Sequence, residues 1–105
     1  MGEDRTVVIV MGSFRIPVEN LDRARPMMAR VIAATRAEPG CVSYSYAEDM
    51  VDAGLIRVSE EWTDEAAVKS HAQSAHMAQW VAERTTLGLS ERNIKLYSAN
   101  EGRAL

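Results

Sequence analysis

The feature that most constrains this chain is a series of changes in hydrophobic period. From Thr6 to Ile16 the residues are largely β-branched or apolar, which is strand chemistry, and Pro17 closes the run. From Asn20 to Glu38 the spacing becomes helical: Leu21, Ala24, Met28, Val31, Ile32 and Thr35 recur at threes and fours. Asn20 stands where an N-cap belongs. Pro26 removes one helical hydrogen bond and crowds the preceding turn, so a short opening turn or a kink is expected there. Glu38-Pro39-Gly40-Cys41 then stops the helix with proline and glycine together.

The period returns to two over Cys41 to Glu48, with Val42, Tyr44 and Tyr46 on one side and Ser43 and Ser45 on the other. Asp49 to Gly54 is turn chemistry, and Leu55 to Trp62 is a third strand, so these two strands form a hairpin. Thr63 or Asp64 caps a helix over about residues 65–73, and Ser74 caps a second piece over about 75–85. Leu87 to Arg92 reads as a loop, and Asn93 to Ser98 as the last strand. The order β-α-β-β-α-β predicts an α+β, ferredoxin-like fold: a four-stranded antiparallel sheet with its helices on one face. A single domain over 1–105 is expected, with its core at about 7–98 and a tail at 99–105.

That arrangement leaves one sheet face bare. In the first strand Val8, Val10, Phe14 and Ile16 share one side, while Val7, Ile9 and Met11 share the other. Both sides are apolar, so neither is suited to water, and a second copy of the chain is the simplest cover. A homodimer is therefore expected. The net charge of −3 excludes the basic footprint of a nucleic-acid binder. Val7 to Met11 is too short to span a membrane, and the lone Cys41 fits a reducing cytoplasm. Met1 to Thr6 matches the N-myristoylation pattern in form, with Gly2 and Thr6 in place. No basic patch or second lipid site supports it, so neither a membrane anchor nor a targeting segment is expected.

Two polar residues fall on faces that should be apolar. Glu60 shares a strand face with Ile56, Val58 and Trp62, and His71 follows Ala67 and Val68 on a helical stripe. If stripe and strand face pack together, the two side chains meet. They are then either a hydrogen-bonded pair that holds helix to sheet, or a base and its orienter in a pocket.

Glu38-Pro39-Gly40-Cys41, the Glu60-Glu61-Trp62 strand end, the pair His71 and His76, and the closing Asn93 to Tyr97 strand closely resemble the antibiotic-biosynthesis-monooxygenase-like family of dimeric α+β barrels. The resemblance runs from about Val7 to Tyr97. It implies a pocket between sheet and helices in each subunit. One branch oxygenates quinols and anthrones without metal or flavin, another degrades haem, and a third isomerises a small phosphorylated sugar-like signal. Glu60 and His71 match a Glu and a His kept in the first and third branches. Trp62 matches a strand-end tryptophan of the anthrone-oxidising branch, whose nearby asparagine is replaced here by Val58. The haem branch needs a helix histidine where Trp80 or Val81 stands and a first-strand asparagine that is absent, so haem degradation is not expected.

The resemblance thus implies a cofactor-independent monooxygenase acting on a small quinol- or anthrone-like aromatic with dioxygen. His71 would be the base, Glu60 its orienter and Trp62 a substrate wall. Tyr44 and Tyr46 would be lining hydroxyls, and His76 a residue of the pocket rim. His76 follows His71 by five positions, about 140° around a continuous helix, so the two are not expected to share a metal. The alternatives are an isomerase of an enolisable phosphosugar-like compound and a dimeric metabolite-binding protein without turnover. A phosphate would need Arg or Lys at the pocket, and Arg57 lies on the strand face opposite Glu60. Cys41 and the methionines read as core.

Overall fold

The computed structural model describes residues 5–105; Gly2, the residue the lipidation pattern would modify, lies outside them. Four strands and three helices follow in chain order: β1 (Thr6–Arg15), α1 (Leu21–Arg36), β2 (Cys41–Glu48), β3 (Leu55–Trp62), α2 (Glu65–Ala72), α3 (Ala75–Thr85) and β4 (Ser90–Asn100). The strands lie in the order β2-β3-β1-β4, and every neighbouring pair is antiparallel. This is the expected ferredoxin-like α+β fold. No helix among the described residues is long and apolar enough to cross a membrane.

The two sides of β1 separate as its alternation requires. Val8, Val10 and Phe14 are buried beneath the helices, with Ile16 just beyond the strand, while Met11 on the other side is 52 % exposed. Tyr97 of β4 pairs with Ile9 on that open face and is 47 % exposed. The core between helices and sheet is built from Phe14, Ile56, Val58, Met28, Val31 and Trp80, continued by Val8, Val10, Tyr44 and Trp62.

Local signals place most boundaries. Asp64 caps α2 by accepting from the Ala67 amide at 2.8 Å, and Ser74 caps α3 by accepting from the Met77 amide at 3.3 Å. Two expectations change. Asn20 does precede α1, but its side chain makes no cap; its amide donates to the Leu87 carbonyl at 2.8 Å and ties the helix start to the loop after α3. A 3-10 turn, Val18–Asn20, leads into α1, which then runs through Pro26 to Arg36. The last strand is longer than expected. It starts at Ser90 and ends at Asn100, because β1 offers pairing partners from Arg15 to Thr6. Arg92 therefore lies on a strand rather than in a loop. Gly12 is needed for that pairing: a Cβ there would sit 1.9 Å from the Asn93 carbonyl oxygen. At the other end of the sheet Gly40, at φ +84°, turns the chain from Glu38 into β2.

Candidate active site

A cavity of about 150 Å³ lies between the sheet and the helices. Its sheet wall is Val10, Phe14, Tyr44, Tyr46, Glu60, Arg92 and Ile94; its helix wall is Val68, His71 and Ala72 of α2 with Met77 and Arg84 of α3. Period-two alternation sends the strand residues inward, and Asp64 and Ser74 set the pitch of the two helices. The walls are apolar and aromatic, with a few converging polar groups, the usual make-up of a small-molecule site.

The structure brings Glu60, His71, Tyr44 and Tyr46 to this one cavity, yet it does not pair Glu60 with His71. His71 Nδ1 meets Glu38 Oε1 at 3.0 Å, and Glu60 Oε1 accepts from Trp62 Nε1 at 2.9 Å. The carboxylate that orients His71 is therefore Glu38. The reason is topological: Glu38 lies in the turn that Gly40 folds beneath α2, closer to the helix than the sheet floor is. The Glu38 carboxylate accepts the Nδ1 proton and so leaves Nε2 as the basic nitrogen. Nε2 has no hydrogen-bond partner among the described residues, and His71 is 6 % exposed while lining the cavity.

Trp62 also departs from expectation. It is fully buried and does not line the cavity. Register explains this: Trp62 pairs with Val8 and Cys41 at the end of β3, past the cavity floor. From there its ring backs His71 and Tyr44, with centroids 5.0 and 6.3 Å away. Tyr44 and Tyr46 share a hydroxyl–hydroxyl hydrogen bond of 2.7 Å. Burial pushes both phenols well above their ordinary range, so they are neutral donors and not bases. Burial likewise raises the Glu60 carboxyl, against opposing pulls from the Trp62 hydrogen bond and the charge of Arg92.

His76 lies outside this cavity. Its Nε2 hydrogen-bonds the same Glu38 oxygen from the far side, where Glu38, Gly40, Ala67, Ser70, Ser74 and His76 border an open cleft of about 680 Å³. The expected 140° separation fails because the helix breaks at Gln73 and Ser74 and restarts in a new direction. One donor atom each from Glu38, His71 and His76 falls within 4.8 Å of the others, a set that could hold a transition metal. The cleft is the larger hollow, but it opens to solvent between small residues. The cavity holds the buried aromatic and titratable groups, and it is the better candidate for chemistry.

Arg84 and Arg92 are site residues that periodicity did not reveal. Both line the cavity. Arg92 lies next to the β-bulge of β4, where the strand bends past Arg15, and Arg84 is in the last turn of α3. The one available sign was position, two arginines flanking the short connection between α3 and β4.

The fold and cavity define a ferredoxin-like protein with a partly open pocket between sheet and helices. The chain belongs to the antibiotic biosynthesis monooxygenase family, whose model matches residues 7–83. An uncharacterised protein of Synechocystis is 26 % identical over 93 % of this chain and 67 % of its own length. A protein of Bacillus subtilis named only as a candidate monooxygenase is 25 % identical over 73 % of this chain and 81 % of its own. Among solved structures, a candidate antibiotic biosynthesis monooxygenase from Deinococcus radiodurans superposes with a TM-score of 0.78, at 24 % identity, over 93 % of this chain and 95 % of its own. That last likeness establishes the fold.

Proposed function

We propose that the protein is a cofactor-independent monooxygenase of a small quinol- or anthrone-like aromatic. The observation that carries this is His71, buried in the wall of a largely apolar, aromatic cavity with Nδ1 held by Glu38 at 3.0 Å. His71 Nε2 takes a proton from the bound phenol or enol. The resulting anion is electron-rich and passes an electron to dioxygen; the substrate radical and superoxide so formed combine to a C–O bond, and cleavage of the resulting peroxide's O–O bond follows. For an anthrone the balance closes without another reductant. One oxygen atom becomes the new carbonyl, the other leaves as water, and the substrate's CH₂ group supplies the electrons. The protein supplies proton removal, positioning and exclusion of water. Tyr44 and Tyr46 hydrogen-bond each other, and the one proton that pair leaves free is donated to the substrate oxygen; Glu60 and Trp62 support the floor.

The same proton-handling pair fits a second reading, an isomerase of an enolisable anion, and the arginines at the cavity favour it. In either reading a second copy of the chain covers the open sheet face around Met11 and Tyr97, and the working form is a cytoplasmic homodimer.

The test is oxygen uptake by metal-stripped protein with a panel of naphthoquinols and anthrones, autoxidation subtracted, beside His71→Ala. Enzyme-dependent uptake that the variant loses is the expected result. No uptake above background on any of them refutes the oxygenase reading.

A further inference from the structure

We infer that Arg84 and Arg92 form an oxyanion subsite in the cavity, so that the substrate is an aromatic bearing a carboxylate or phosphate beside its ionisable hydroxyl. This rests on the reading that the cavity is the substrate site.

Every arginine from Arg5 to Arg57 has a partner. Five of them pair with carboxylates, and Arg23 and Arg36 donate to backbone carbonyls. Arg84, Arg92 and Arg103 of the tail have no such partner among the described residues, and of these three Arg84 and Arg92 line the cavity. The chain has an excess of acids, 15 Asp and Glu against 12 Lys and Arg, so acids are not scarce.

Arg84 is half-buried, and its guanidinium is pushed below its ordinary value, first by burial and next by the like charge of Arg92. Two cations held together beside a cavity repel each other, and an anion between them removes that cost. Glu60 acts on Arg92 only through space: it forms no ion pair with either arginine among the described residues, and one of its oxygens is bound to Trp62. The guanidinium fork matches a planar carboxylate or a phosphate, and a neutral quinol leaves both forks empty.

Arg84 and Arg92 come from α3 and β4, while His71 comes from α2, and all three line the same cavity. A substrate anchored by its anion on the arginines is held in one orientation relative to the imidazole, which proton transfer needs.

The test is anaerobic calorimetric titration, so that binding is read without turnover. The probes are 2-naphthol, 3-hydroxy-2-naphthoate and 2-naphthyl phosphate, against the wild-type protein and the variants Arg84→Gln, Arg92→Gln and Arg84→Lys. One of the two anions binds at least about tenfold tighter than the naphthol, and which one it is separates a carboxylate substrate from a phosphate. Each glutamine variant loses most of that preference, leaves naphthol binding in place, and Arg84→Lys keeps part of it. Equal affinities for all three probes overturn the subsite, as does a preference that survives both glutamine changes together. Oxygen uptake with neutral quinols but no preference overturns the subsite and leaves the oxygenase standing. Preference without uptake on any panel member does the reverse.

Discussion

Replacing Trp62 with phenylalanine separates the two carboxylates of the site. Trp62 is fully buried, and its Nε1–H is the hydrogen bond that Glu60 receives, at 2.9 Å. Phenylalanine removes this donor and leaves a small void. The void costs about 1 kcal/mol. Loss of a buried hydrogen bond costs about 1 kcal/mol when Glu60 is neutral and roughly 1.5–3 kcal/mol when it is ionised. The sign follows from linkage. Burial raises the folded-state pKa of Glu60 above its unfolded value, so the folded protein binds the proton more tightly. The Glu60 contribution is therefore most favourable at low pH and declines as pH rises through the unfolded value, by at most about 1.4 kcal/mol per pH unit, levelling off above the folded value. Trp62→Phe removes one of the groups that oppose this rise, so its cost grows with pH. Urea unfolding at pH 4 and pH 7.5 should give a loss of about 2 kcal/mol at the lower pH and about 2.5–4 kcal/mol at the higher. In a Glu60→Gln background the pH dependence disappears. A cost that is the same at both pH values, or unchanged by Glu60→Gln, refutes the assignment of Trp62 as the partner of Glu60.

Other outcomes follow from the same geometry. Glu38→Gln removes the carboxylate that holds His71, and turnover should fall on the order of 10²-fold or more, whereas Glu60→Gln costs less; steady-state oxygen uptake with the best panel substrate decides the order. Zinc ions added to metal-free protein should suppress turnover by engaging Glu38, His71 and His76, and His76→Gln should weaken that inhibition, read as a shift in the inhibitory concentration. Gly12→Ala drives a Cβ into the Asn93 carbonyl, so it should cost roughly 3 kcal/mol or more in denaturant unfolding, and a loss under 1 kcal/mol would show that β4 can retreat.

Fold and site were legible to different depths. The fold is written in local chemistry. Strand alternation, the Pro39-Gly40 stop, and the Asp64 and Ser74 caps each act over a few residues, and the observed elements begin and end near them. Parity also placed Glu60 and Tyr44 toward the helices, and the resemblance pointed to His71. What could not be read was which acid reaches which imidazole. Glu60 and His71 look paired because strand parity and helical stripe both point them inward. Glu38 belongs to neither pattern; it sits in a turn 33 residues before His71, and only the packing of that turn beneath α2 brings them together. His76 was misjudged for a related reason: an angular argument holds only along one helix, and Ser74 starts another. Arg92 was hidden by a strand that extends beyond its own apolar pattern, held there by pairing with β1 and not by its own residues.

The break between α2 and α3 has a consequence for how such proteins diversify. In the proposed mechanism the nitrogen that takes the proton is on α2, on the imidazole that Glu38 holds. Met77 and Arg84, which line the same cavity and add to its shape and charge, are on α3. Since a short joint separates the two helices, changes on α3 can alter which molecule is accepted without moving the imidazole. One inherited proton-transfer unit can then serve many substrates, each selected by a helix that takes no part in the reaction itself.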